Sequence, residues 1–150
     1  MTEKEIFIEK LKERTKVTAA LVIKFCDSLK VSKASSVITY QIVKSATSIG
    51  ANYRAACRAR SKLEFFSKMC IVVEEADETQ YWLEIIEESR LSNDHELLKI
   101  LKEEINEITK IMTSAKNTLY AKKENCLEWL HNLAILLTIV QGEIKEGDTP

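Results

Sequence analysis

Residues 93–119 read NDHELLKILKEEINEITKIMTSAKNTL. In this run Leu97, Leu101, Ile105, Ile108, Met112, Ala115 and Leu119 recur at steps of three and four. That spacing lays one apolar stripe along a helix and puts Lys, Glu and Asn on the other side, as in a helix that closes a bundle seam. Asn93 with Glu96 three residues on has capping spacing, which places the start of the helix near Asn93.

The same pattern extends outward from this run. Upstream, Ser61 and Glu64 form a second capping pair, and Phe65, Met69, Val72, Ala76, Thr79, Leu83 and Ile86 continue the stripe of a third helix. A second helix spans about Lys33 to Arg58, with Ile38, Ile42, Ser45, Ile49, Asn52 and Ala56 on one side. Gly50 within it costs about 1 kcal/mol against Ala, which a close helix–helix approach repays. The first helix spans about Glu3 to Leu29, opens on the Thr2/Glu5 pair, and carries Phe7, Leu11, Thr18, Leu21, Phe25 and Leu29, interrupted by Arg14. With 3 Gly and a single Pro at the last position, the chain lacks the turn residues a β-rich protein needs.

Each helix is about 37 Å long at 1.5 Å per residue. The breaks near 30–33, 58–61 and 90–93 are short, so neighbouring helices run antiparallel. The expectation is an all-α, up-down-up-down four-helix bundle over residues 1–122. Residues 123–150 form an extension in which 126–140, CLEWLHNLAILLTIV, are apolar nearly all round. Fifteen residues are too few for a bilayer span, which needs about 20. The expectation is a fifth helix over 124–140, buried against protein with Trp129 as anchor, followed by a polar end from Gly142.

No nucleophile–base set, Gly-rich phosphate loop, GxSxG elbow or HExxH helix is present in the sequence. Di-iron bundles need Glu-x-x-His on two facing helices, and the sequence holds that spacing only once, at Glu128 and His131. Catalytic residues, metal ligands and cofactors are therefore expected to be none. Cys26, Cys57, Cys70 and Cys126 have no CxxC spacing and read as reduced core thiols. His95 and His131 stand far apart without ligand-like neighbours. The charged start, Met1 to Glu5, lacks the apolar stretch of a secretory signal, so a cytoplasmic protein is expected.

Net charge is −1, yet the charges are segregated. From Lys44 to Lys62 the charged residues are Lys44, Arg54, Arg58, Arg60 and Lys62, with no acid among them. From Glu74 to Glu88 there are seven acids and no base. In a hairpin turning near residue 60, partner numbers sum to about 120. The acids then face the start of the second helix, and within the hairpin only Glu64 is placed to neutralise the arginines. Arg54, Arg58, Arg60 and Lys62 are thus candidates for binding a nucleic-acid phosphate or another copy of the chain, with helices one and four or solvent as the other neighbours. Glu74, Glu75, Asp77 and Glu78 are candidates for an inter-subunit acidic face; as a cation site they lack histidine partners.

The run from Ser45 to Phe66, SATSIGANYRAACRARSKLEFF, and the run from Val73 to Glu84, VEEADETQYWLE, resemble the signature of a bacterial four-helix bundle family. That family is related to proteins encoded in intervening sequences of 23S ribosomal RNA genes. Phe7 to Leu29 resembles it more loosely; the likeness covers about residues 5–120 and departs from the pattern beyond about 122. It implies an up-down-up-down bundle that associates into a homo-oligomer, often a pentameric ring, with no enzymatic activity and a suspected role in binding RNA or DNA. Arg54, Arg58 and Arg60 fall within the matching run.

Overall fold

The computed structural model describes residues 1–118, which form four helices and no strand. Helix α1 is Glu3–Asp27, α2 is Lys33–Ala56, α3 is Lys62–Glu88, and α4 covers residues 95–118. The expected fifth helix, Trp129, Cys126, His131 and the 123–150 extension lie outside the described residues.

The helix starts follow their caps. Thr2 Oγ1 accepts from the Glu5 N–H while the Glu5 carboxylate accepts from the Thr2 N–H, a reciprocal capping box. Ser32 and Ser35 do the same for α2. Ser61 Oγ accepts from the Glu64 N–H, but the Glu64 carboxylate turns away to Arg60. The cap of α4 is one residue later than Asn93: Asp94 Oδ1 accepts from the Leu97 N–H at 2.9 Å, and Ser92 Oγ accepts from the Asp94 N–H. Asp94 takes the position because Ser92 supports its backbone. At the end of α3, Arg90 adopts a left-handed conformation, φ 51°, and the Leu91 N–H reaches back to the Ile86 carbonyl. This is the Schellman closure usually given to glycine.

Successive helices are antiparallel neighbours, and the ring closes between α4 and α1. Ser45 on α2 meets Thr79 on α3, Glu87 on α3 pairs with Lys102 on α4, and Arg14 on α1 pairs with Glu104 on α4. The α1–α2 and α3–α4 connections are tied at one end of the bundle by Lys30 N–H to the Leu91 carbonyl, 3.0 Å. The core holds Phe25, Ile42, Ile49, Met69, Leu83, Ile86, Leu101, Ile105, Ile108 and Met112, all fully buried.

The expected α3 stripe is buried from Met69 to Ile86, with Phe65 half-buried at its edge. Elsewhere the helices are rotated slightly from the expected stripes. Phe7 is 55% exposed, because it precedes the level at which α1 is covered by its neighbours. Val22, Tyr53 and Leu98 are buried where Leu21, Asn52 and Leu97 were expected, and Ala115 is exposed. In each case two adjacent side chains compete for one seam position, and packing turns the helix toward the neighbour.

Two contacts fix how α1 sits. A Cβ built on Gly50 would lie 3.2 Å from Thr15 Oγ1, so the missing side chain of Gly50 is what lets α2 approach α1. Thr15 cannot easily yield, since its hydroxyl donates to the Leu11 and Lys12 carbonyls at 3.1 and 3.0 Å. On the other flank, Arg14 grips Glu104 with two bonds, Nε to Oε1 at 2.6 Å and Nη2 to Oε2 at 2.8 Å. Thr18 adds a third donor to Glu104 at 3.3 Å. The Arg14 hydrogen bond holds the Glu104 carboxyl below its ordinary value of 4.5, against the opposing effect of burial.

Two predictions follow from these contacts. Gly50→Val lowers stability by about 1–3 kcal/mol through overpacking against Thr15, whereas Gly50→Ala stays within about 1 kcal/mol because helix propensity offsets the tight contact; denaturant unfolding measures both. A carboxyl depressed in the fold contributes stability that is present above its unfolded value and lost as pH falls through its folded value. Glu104→Gln therefore destabilises at neutral pH by about 1 kcal/mol, a modest figure because the pair is part-exposed. The deficit shrinks as pH falls below the ordinary carboxylate value and is gone only below the depressed folded value, so a deficit unchanged from pH 7 to about pH 2 would contradict the assignment.

Candidate binding surfaces

The four cations expected to act together are divided by the fold. Arg60 sits in the α2–α3 connection, where Glu64 Oε2 accepts from its backbone N–H at 2.9 Å and from its Nε at 3.3 Å. Glu64 is the acid the hairpin arithmetic singled out, and of the three arginines it takes Arg60. Lys62 is the first residue of α3 and makes no ion pair among the described residues.

Arg54 lies in the last turn of α2 and Arg58 two residues past its end, both exposed, with Arg58 Nε 3.4 Å from the Arg54 carbonyl. Together with Glu9, Lys12, Glu13 and Lys16 of α1 they line a groove of about 390 Å³. Lys12 and Lys16 were not singled out in the sequence, because beside Glu9 and Glu13 they read as a balanced helix surface. The signal was their spacing: residues 9, 12, 13 and 16 share one face of α1, and the antiparallel α2 brings 54 and 58 alongside.

The acids part in a similar way. Glu74 and Asp77 point to solvent, while Glu75 and Glu78 are half-buried. Glu78 Oε1 accepts from Trp82 Nε1 at 3.0 Å. Glu75 Oε2 is buried without a hydrogen-bond partner. Burial, then Glu78, raises the Glu75 carboxyl above its ordinary value, and Lys44 opposes the rise. None of the four forms an ion pair with a described lysine or arginine.

A second, more apolar groove of about 620 Å³ runs between α1 and α4, where Val17 and Ile100 are each about half exposed beside the Arg14–Glu104 pair. Among the described residues no group of three His, Cys, Asp or Glu side chains is placed to hold a metal ion, and no helix is long and apolar enough to cross a membrane. Burial pushes the Cys26 thiol up to about 11, which leaves it a protonated packing residue at neutral pH.

The molecule is thus an all-α four-helix bundle whose charged surfaces are sorted by helix. Residues 10–114 match the family of 23S rRNA-intervening sequence proteins, and the chain belongs to that family. A crystal structure of a protein with unknown function from the S23 ribosomal protein family of Bacteroides thetaiotaomicron is similar, with 31% sequence identity and a TM-score of 0.65. The match covers 71% of this chain and 97% of that one. No curated protein matches the chain.

A carboxyl raised in the fold opposes folding wherever it is ionised, and that penalty is relieved as pH falls. Glu75→Gln is therefore expected to raise stability at neutral pH by up to about 1 kcal/mol, held down by partial exposure. The gain shrinks as pH approaches 4, and thermal unfolding across that range checks it; a loss of stability at pH 7 would contradict the account.

Proposed function

We propose that this protein is a non-enzymatic, cytoplasmic module that assembles with copies of itself. The observation that supports this most is the opposite charge on the outer faces of α2 and α3. Along the outer side of α2 and just past its end, the exposed positions include Val37, Tyr40, Lys44, Thr47, Ala51, Arg54 and Arg58. On α3 they include Glu74, Asp77, Tyr81, Glu84 and Glu88. Both sets step by three and four, the first with no acid and the second with no base.

The register adds support. Ser45 and Thr79 mark one level of the bundle. If a second copy stands beside the first at equal height, α2 of one faces α3 of the next in antiparallel sense. Lys44 then lies between Asp77 and Glu84. Arg54 lies about one turn, roughly 5.4 Å, from Glu74. Exposed Tyr40 and Tyr81, at 68% and 53%, supply apolar contact between the charges. Because two different faces meet, the contact is heterologous and closes into a ring, for which the family resemblance suggests five copies. Charge complementarity of this kind fixes register and partner choice more than raw affinity.

A second reading, binding of RNA or DNA, is favoured by Arg54 and Arg58, which have no carboxylate partner among the described residues. It is compatible with assembly, since a ring repeats each site around its axis.

Light scattering of the native chain at micromolar concentration is expected to give a multiple of the chain mass. Glu74→Lys with Asp77→Lys lowers that mass, and adding Lys44→Glu with Arg54→Glu to the same chain restores it. A native monomer, or a reversed-charge chain with unchanged mass, contradicts the proposal.

A further inference from the structure

The groove between α1 and α2 carries more cations than its own acids occupy. Lys12 and Lys16 come from α1, Arg54 from the last turn of α2 and Arg58 from just past its end. Glu9 and Glu13 also line it, but each is held by the lysine three residues on: Lys12 Nζ lies 2.7 Å from Glu9, and Lys16 Nζ lies 2.7 Å from Glu13. The two guanidinium groups are left with no carboxylate within ion-pair distance among the described residues. The surplus of two positive charges is not used for folding, since neither arginine is packed into the core.

We infer that this α1–α2 groove is a binding site for phosphate groups, with Arg58 and Arg54 as the gripping residues and Lys16 and Lys12 as the opposite wall. Guanidinium suits this ligand because its planar fork meets two phosphate oxygens at once, while the ammonium groups act as point charges with freely turning donors. Arg54 ends α2 and Arg58 follows it in the connection, its Nε near the Arg54 carbonyl, so a phosphate drawn into the groove meets donors from both sides. The carboxylates of Glu9 and Glu13 pair with Lys12 and Lys16 and form no ion pair with the arginines. Arg60 and Lys62 take no part, since neither lines the groove.

This deepens the nucleic-acid reading by naming its site, and it does not rest on self-association, because all four cations belong to one chain. The phosphates come either from a single-stranded RNA backbone or from a small polyphosphate, and the two sources are told apart by the probe.

The test is fluorescence anisotropy of a labelled twelve-nucleotide pyrimidine RNA added to the full chain, with pyrophosphate as the second probe by calorimetry. Lys16→Ala with Arg58→Ala is expected to weaken binding at least tenfold, and Lys16→Glu with Arg58→Glu to abolish it. Arg60→Ala with Lys62→Ala is expected to change it less than twofold. All the altered side chains are solvent-facing, and circular dichroism with light scattering verifies fold and mass. Two net charges per site give a salt slope of about −1.4 for single strands, so binding weakens about sevenfold from 50 to 200 mM salt. Binding of pyrophosphate alone, lost in the groove variants, supports the site with a small ligand while removing the nucleic-acid reading. Binding of neither probe overturns the site. So does RNA binding that survives the groove changes, equal loss in the Arg60/Lys62 variant, or loss that appears only together with a fall in mass.

Discussion

The close approach of α1 and α2 at Gly50 and Thr15 is the constraint on which the surface depends. Any side chain at position 50 would meet a hydroxyl already committed to two backbone carbonyls. With that space left empty, the two helices run near each other along their length, and residues forty positions apart in the chain become neighbours. Lys12 and Lys16 come to share a groove with Arg54 and Arg58 for this reason alone. Separated by even a little more, the same side chains would be independent surface charges screened by salt.

On its other flank α1 is held by the Arg14–Glu104 clasp, which Thr18 completes. The apolar core drives folding, and these polar contacts specify which way α1 faces. The buried hydroxyls serve the same end. Thr15 and Ser45 donate to carbonyls three or four residues back, while Thr18 and Thr79 share their hydroxyl hydrogen between such a carbonyl and a neighbouring helix. They occupy little volume and permit neighbouring helices to sit close. A stripe that looks too polar for a core is, in this bundle, a stripe for close packing.

Much of the fold was legible because it is written locally. The caps at Thr2 and Ser61 and the α3 stripe from Met69 to Ile86 depend on residues within a few positions of one another. The hairpin register was legible to within one helical turn: Ser45 meets Thr79, where the expected sum of about 120 put Glu75. Rotation about each helix axis was less legible. Leu97 against Leu98, or Asn52 against Tyr53, is decided by a neighbour tens of residues away. The candidate site shows the same division. Arg54, Arg58 and Arg60 stood out through a run free of acids, but which of them Glu64 takes was not legible: it takes Arg60, which the sequence grouped with the available cations. Lys12 and Lys16 were hidden, because pairing with Glu9 and Glu13 makes them look neutralised until α2 is laid beside them.

The central claim is that helix packing, and not order along the chain, selects which cations act together. Solution NMR tests this most directly, by following assigned backbone and side-chain signals of the full chain as pyrophosphate is added. The account predicts saturable shifts at Lys12, Lys16, Arg54 and Arg58, on two helices at once, with Arg60, Lys62 and the acids from Glu74 to Glu78 unmoved. Shifts confined to the contiguous run from Arg54 to Lys62, with α1 silent, would contradict it.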